Sequence, residues 1–93
     1  MRRALLRSPT FVRGAKRLLK KNPTITAALQ SVLVQLENDA FAPSLKTHKL
    51  KGELTGSYAC SAGYDLRVVF ELVQHNGAEA LLLASIGSHD EVY

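Results

Sequence analysis

The chain has 93 residues, a formal net charge of +4, 46% hydrophobic residues and 22% charged residues, the balance of one small folded domain (residues 1–93) rather than a disordered segment. Its longest apolar run, Ala80 to Ala84, falls far short of the roughly 20 residues a membrane-spanning helix needs, so no membrane role is expected. One cysteine, Cys60, excludes an internal disulfide and a thiolate zinc site, and suits a reducing cytoplasm.

Residues 3–7 read as a short edge strand. Ala4-Leu5-Leu6, cut off by Arg7, is too short for the apolar part of a secretory signal. Although the acid-free start resembles a transit peptide in composition, it carries helix caps and a core-facing stripe, and is read as part of the fold. Ser8-Pro9 is a helix start: a capping hydroxyl, then proline at the first helical position. Phe11, Ala15, Leu18 and Leu19 recur on one helical face, and Arg13, Lys16, Arg17, Lys20 and Lys21 occupy the rest. Asn22-Pro23 repeats the start signal, ending the first helix and capping a second. There Ile25, Ala28, Leu29, Val32, Leu33 and Leu36 form the stripe, fading at Asn38-Asp39. The short connection predicts an antiparallel helical hairpin.

Residues 40–56 are read as an irregular loop, unusually long for a small domain and for that reason a functional candidate. Beyond it the apolar period changes to two. Residues 57–62 read as a strand. Residues 64–74 read as a stronger one, with Leu66, Val68, Phe70 and Leu72 on one face and Asp65, Arg67, Val69 and Glu71 on the other. Asn76-Gly77 is a hairpin turn, residues 79–86 return as a strand, and residues 87–93 form a turn and a last helical turn. The order is β-α-α-β-β-β, an α+β fold with two helices on one face of a mostly antiparallel sheet.

Charge is distributed unevenly along these elements. The first 36 residues hold eight basic side chains and no acidic one, and all eight acids lie from Glu37 onward. Lys46, Lys49 and Lys51 add a second basic cluster. This pattern points to a polyanionic partner, a nucleic acid or an acidic protein.

His48, His75 and His89 share no ligand spacing, and no phosphate-binding glycine loop or serine-hydrolase elbow is present, so neither metal nor cofactor is expected. His48, Lys49 and Lys51 of the loop, Asp65 and Arg67 of the central strand, Ser61 of its neighbour, and His89 and Tyr93 of the tail converge if the tail folds over the sheet face opposite the helices. Such a set suits metal-independent phosphodiester cleavage. A base takes the ribose 2′-OH proton, a cation stabilises the charge on phosphorus, and an acid protonates the leaving 5′-oxygen.

At HKLKGELTG (48–56), YDLRVVFEL (64–72) and IGSHDEVY (86–93) the chain resembles the RelE/ParE superfamily of bacterial toxins, closest to the YafQ-like branch. The resemblance implies a ribosome-dependent mRNA endoribonuclease (an mRNA interferase) of a type II toxin–antitoxin system. Its partners would be a cognate antitoxin, in a heterotetramer or another stoichiometry, and the ribosome with its mRNA. It also implies roles: His48 in the active site, Asp65 as a catalytic carboxylate, Arg67 on the scissile phosphate, His89 as general acid, and Tyr93 stacking on a base. Asp65 and His48 both remain open as the general base. Lys49, Lys51, Arg13, Lys16, Arg17, Lys20 and Lys21 are the expected RNA contacts. Ser61 stands where YafQ-like enzymes often carry a second histidine, and serine cannot act as a base near neutral pH. Two rivals share the fold: a ParE-like gyrase inhibitor without catalysis, and a degenerate toxin that only binds its antitoxin or RNA.

Overall fold

In the computed structural model, which describes residues 3–50, 56–61 and 66–88, Ser8 starts the first helix. Its hydroxyl accepts from the Phe11 N–H at 3.1 Å and its carbonyl accepts from the Val12 N–H at 3.0 Å, the N-cap that Ser-Pro predicts. Helix α1 spans Pro9–Lys21, with Lys20 and Lys21 in its last turn, where cations complement the helix dipole. Phe11 is buried, Ala15 and Leu18 pack beside it, and all five cations of α1 are exposed.

The expected cap at Asn22 does not form on the second helix. A 3-10 turn, Pro23–Ile25, intervenes before α2, Thr26–Asn38. Proline takes the first position of that turn, and the Thr26 hydroxyl donates back to the Pro23 carbonyl at 2.7 Å. Helix α2 buries Leu29, Val32 and Leu36. No helix among the described residues is long and apolar enough to cross a membrane.

Strands β1 (Ala4–Arg7), β2 (His48–Lys49), β3 (Ser57–Ser61), β4 (Leu66–His75) and β5 (Ala78–Ser88) form one sheet in the order β1-β5-β4-β3-β2. β1 runs parallel to β5, and the other pairings are antiparallel. Asn76 and Gly77 both take positive φ, 52° and 79°, the primed turn that an Asn-Gly pair supports.

Two expectations need correction. The stretch 40–56 is not uniformly irregular, since a 3-10 turn at Pro43–Leu45 and the two-residue β2 lie within it. Nor does a turn begin at Gly87, because β5 continues through Ser88. The 3-10 turn is closed by local bonds, from the Leu45 N–H to the Ala42 carbonyl and from the Lys46 N–H to the Pro43 carbonyl. β2, by contrast, exists through its pairing with β3, and β5 runs on because Arg67 and Leu66 of β4 pair with Gly87 and Ser88. Local spacing does not report such pairing.

The core lies between the helices and one sheet face. Phe11, Leu36, Val68, Phe70, Leu81 and Leu83 are among its buried members. Phe41, 45% exposed, meets the Tyr58 ring edge-on, and Tyr58 stacks on buried Phe70, so an aromatic ladder runs from surface to centre. Cys60 packs as a small apolar residue with no exposure, and burial pushes its thiol from 9.0 up to about 12.

β5 carries a bulge. Phe70 is opposite Leu83 but Val69 is opposite Ser85, leaving Ala84 as the extra residue. Leu81, Leu83 and Ile86 therefore all reach the helix side, although their spacing of two and then three would place Ile86 on the other face of a regular strand.

Candidate active site

Residues directly opposite each other in a ladder share a face, and residues alternate along each strand. His48 is opposite Ala59, Ala59 opposite Val69, and Val69 opposite Ser85; two residues further along, Ser61 is opposite Arg67 and Arg67 opposite Gly87. These residues occupy the sheet face turned away from the helices. Its floor is a small apolar cluster of Leu50, Ala59 and Val69, with Ala84 against it. His48, Ser61, Arg67 and Ser85 stand around that floor. An apolar floor lowers the local dielectric, which strengthens the action of a cation on a charged substrate.

His48 is exposed on the edge strand, and its Nδ1 lies 3.1 Å from the Lys46 carbonyl oxygen. A carbonyl only accepts, so Nδ1 carries the proton in that bond, and in the neutral ring Nε2 holds the lone pair. Lys46 itself has a left-handed backbone, φ 52°, at the end of the Pro43–Leu45 turn, which aims its carbonyl at the ring. Arg67 is partly buried, and its Nη1 donates to the Leu66 carbonyl at 3.0 Å. That bond uses one of the guanidinium's five N–H donors. Two strand spacings, about 10 Å, separate the His48 and Arg67 backbones across the sheet, and about 7 Å separates them along it.

Lys49 does not join them. It is opposite Tyr58, whose ring packs into the helix-side core, so Lys49 leaves the other face of the sheet. Reading 40–56 as a loop groups Lys49 with His48; the pleat of β2 separates them.

The cations of α1 divide as well. Arg13 and Arg17, with Thr10, Gly14, Ser85 and Ile86, line an open cleft of about 320 Å³ between α1 and β5. It runs beside the stretch of β5 that β1 does not cover, since that pairing ends at Arg7 and Leu83. Gly14 permits the close approach, for a Cβ there would lie 3.1 Å from Ile86 Cγ2 and 3.2 Å from the Ile86 carbonyl oxygen. Lys16, Lys20 and Lys21 stay on the exposed remainder of the helix. Thr10 is a polar cleft residue that the sequence pattern above did not single out. Thr10 was discoverable, because it precedes Arg13 and Arg17 by three and seven residues on one helical face. Asp65, Lys51, His89 and Tyr93 lie outside the described residues.

A family model described as the bacterial toxin of type II toxin–antitoxin system, YafQ, matches residues 3–93. Among solved structures, YafQ from E. coli strain BL21(DE3) is 18% identical with a TM-score of 0.78, over 98% of each chain. The E. coli DinJ–YafQ toxin–antitoxin complex matches at 19% identity and a TM-score of 0.77, covering 100% of this chain and 99% of the other. A metal-bound toxin from Helicobacter pylori matches at 29% identity and a TM-score of 0.76, over 100% of both chains. No curated protein matches in a search by sequence.

Proposed function

From the premise that the chain belongs to the YafQ family of bacterial type II toxins, we propose that it is a ribosome-dependent mRNA endoribonuclease of the cytoplasm, held silent by a cognate antitoxin. The observation that carries this reading is the shared face of His48 and Arg67 over an apolar floor, on the sheet side turned away from the helices. A non-catalytic binder has no need of an imidazole and a guanidinium on one such face. The antitoxin is proposed because the related E. coli toxin is found in a complex with DinJ.

In this mechanism His48 or Asp65 removes the proton from the ribose 2′-OH, and the oxygen attacks the adjacent phosphorus. Arg67 holds the phosphate and offsets the charge that builds on its oxygens, typically the largest contribution in such a site. His89 protonates the departing 5′-oxygen, and Tyr93 stacks on a base. The cations of α1 and Lys51 contact RNA phosphates. Lys49, on the opposite sheet face, is proposed as a docking residue away from the cleaved bond.

Primer extension on cellular mRNA after induced expression tests the reading. Cuts that need translation of the message are expected, and they persist with a chelator that takes transition metals but spares magnesium. Growth arrest with DNA damage and uncut mRNA would replace it with gyrase inhibition. Absence of both arrest and cuts would leave a binding-only toxin.

A further inference from the structure

Besides accepting from the Val12 N–H at its carbonyl, Ser8 makes three further hydrogen bonds, which tie α1 to β5. Its Oγ accepts from the Phe11 N–H at 3.1 Å, which caps α1. The same Oγ donates to the Ala84 carbonyl at 2.9 Å, and the Ser8 N–H donates to the Leu83 carbonyl at 3.1 Å. Leu83 and Ala84 are the residues at which β5 loses its regular register. One residue thus holds both carbonyls at the bulge from the side where β1 ends.

The bulge decides what stands beside Arg67. With it, Gly87 is opposite Arg67 and Ile86 is opposite Val68, facing the core. Without it, counting on from the Leu83–Phe70 pair, Ile86 would fall opposite Arg67 on the face turned away from the helices and Ser85 would turn into the core. A branched side chain would then stand beside Arg67 in place of glycine.

We propose that Ser8 is a positioning residue for the nuclease site: its hydroxyl locks the Ala84 bulge, and through it the phase of β5 next to Arg67. Bulges beside active sites commonly re-aim a side chain in this way. The proposal rests on the nuclease reading above for its catalytic consequence, whereas its geometric part stands on the strand register alone.

Ser8→Asp separates the two uses of the hydroxyl. A carboxylate caps a helix as well as serine does, but it cannot donate to the Ala84 carbonyl. Ser8→Thr keeps both bonds. Each variant is assayed for single-turnover cleavage on programmed ribosomes and for the cross-strand NOE between Gly87 and Arg67. In Ser8→Asp the NOE should be lost and the cleavage rate should drop about 10–100-fold, the scale set by small misplacements of reacting groups. Ribosome binding should be unchanged, and Ser8→Thr should match the wild type in both assays. If Ser8→Asp does not fold, Ser8→Gly, a tolerated cap without a hydroxyl, gives the same readout. An intact NOE, or a lost NOE with unaltered cleavage, overturns the proposal. A wild-type chain that never cleaves mRNA fails the nuclease reading instead, and the NOE still decides the role of the hydroxyl in β5.

Discussion

Arg67 stands directly opposite Ser61 in the β3–β4 ladder, so the guanidinium and the serine hydroxyl leave the same sheet face as neighbours. Cross-strand partners lie about 5 Å apart at Cβ. A side chain at position 61 can therefore reach a phosphate held by Arg67, and what stands there decides whether a second base is available.

Ser61→His should restore one. The neighbouring guanidinium disfavours a protonated ring, which keeps the new imidazole in its proton-accepting form. General-base assistance is typically worth about 10²–10⁴-fold, and a base already in place reduces the gain, so a rise of about tenfold in single-turnover cleavage is expected. An unchanged rate would mean that His48 or Asp65 already does all the work of the base.

Cys60 makes a prediction about pH. Burial raises its thiol from 9.0 to about 12, so the unfolded chain ionises first as pH rises. The stability tied to the neutral thiol is complete below pH 9 and is lost between about 9 and 12, at about 1.4 kcal/mol per pH unit. The difference in urea stability between wild type and Cys60→Ala should narrow across that window, since the variant has no thiol to ionise. A constant difference would place the thiol nearer water than the structure does. In the native protein at pH 8, Cys60 should also resist alkylation until denaturant is added.

Gly14→Ala tests the seam between α1 and β5. Alanine favours the helix by about 1 kcal/mol over glycine. Its Cβ would, however, lie 3.1 Å from Ile86 Cγ2 and 3.2 Å from the Ile86 carbonyl, in a strand held on its other side by β4. Overpacking of this kind costs about 1–3 kcal/mol. The net effect expected in a urea titration is a loss of about 1 kcal/mol. A gain in stability would mean that the seam is looser than described.

Several features of this architecture could be read from local chemistry. Ser8-Pro9 marks a helix start, Asn76-Gly77 marks a hairpin, and the alternation through Leu66, Val68 and Phe70 identifies the two faces of β4. Each depends on neighbours in sequence. β2 does not: two residues show no periodicity, and the strand exists because β3 pairs with it. The face of Lys49 was hidden for that reason. The bulge at Ala84 was legible in principle, because Leu81, Leu83 and Ile86 are spaced by two and then three. That break in period identifies an extra residue but not the hydroxyl that holds it, which comes from 76 residues away.

The basic helix should contribute affinity rather than chemistry. Lys16, Arg17, Lys20 and Lys21 are exposed on α1, and each cation that meets an RNA phosphate releases counterions on binding. Replacing all four with glutamine should weaken ribosome association and flatten its dependence on salt. The log–log slope should fall by about 0.7 for each phosphate of single-stranded RNA that is no longer neutralised. The rate of cleavage once bound should stay near that of the wild type. A slope that does not change would remove this helix from the docking surface.

His89 is the proposed general acid, and its role can be separated from simple importance. An alkoxide is a poor leaving group unless it is protonated as it departs, and such assistance is typically worth about 10²–10⁴-fold. His89→Ala should slow ribosome-dependent cleavage by about that factor. A message whose scissile 5′-oxygen is replaced by sulfur departs as a thiolate and needs no proton. It should return most of the lost rate to His89→Ala. Arg67→Gln should not be rescued, because the charge its guanidinium offsets builds on the non-bridging oxygens, whatever atom leaves. Asp65→Ala should gain little if that carboxylate is on the base side. Equal rescue of the His89 and Arg67 variants, or of neither, would show that His89 positions RNA or supports the tail instead of donating the proton.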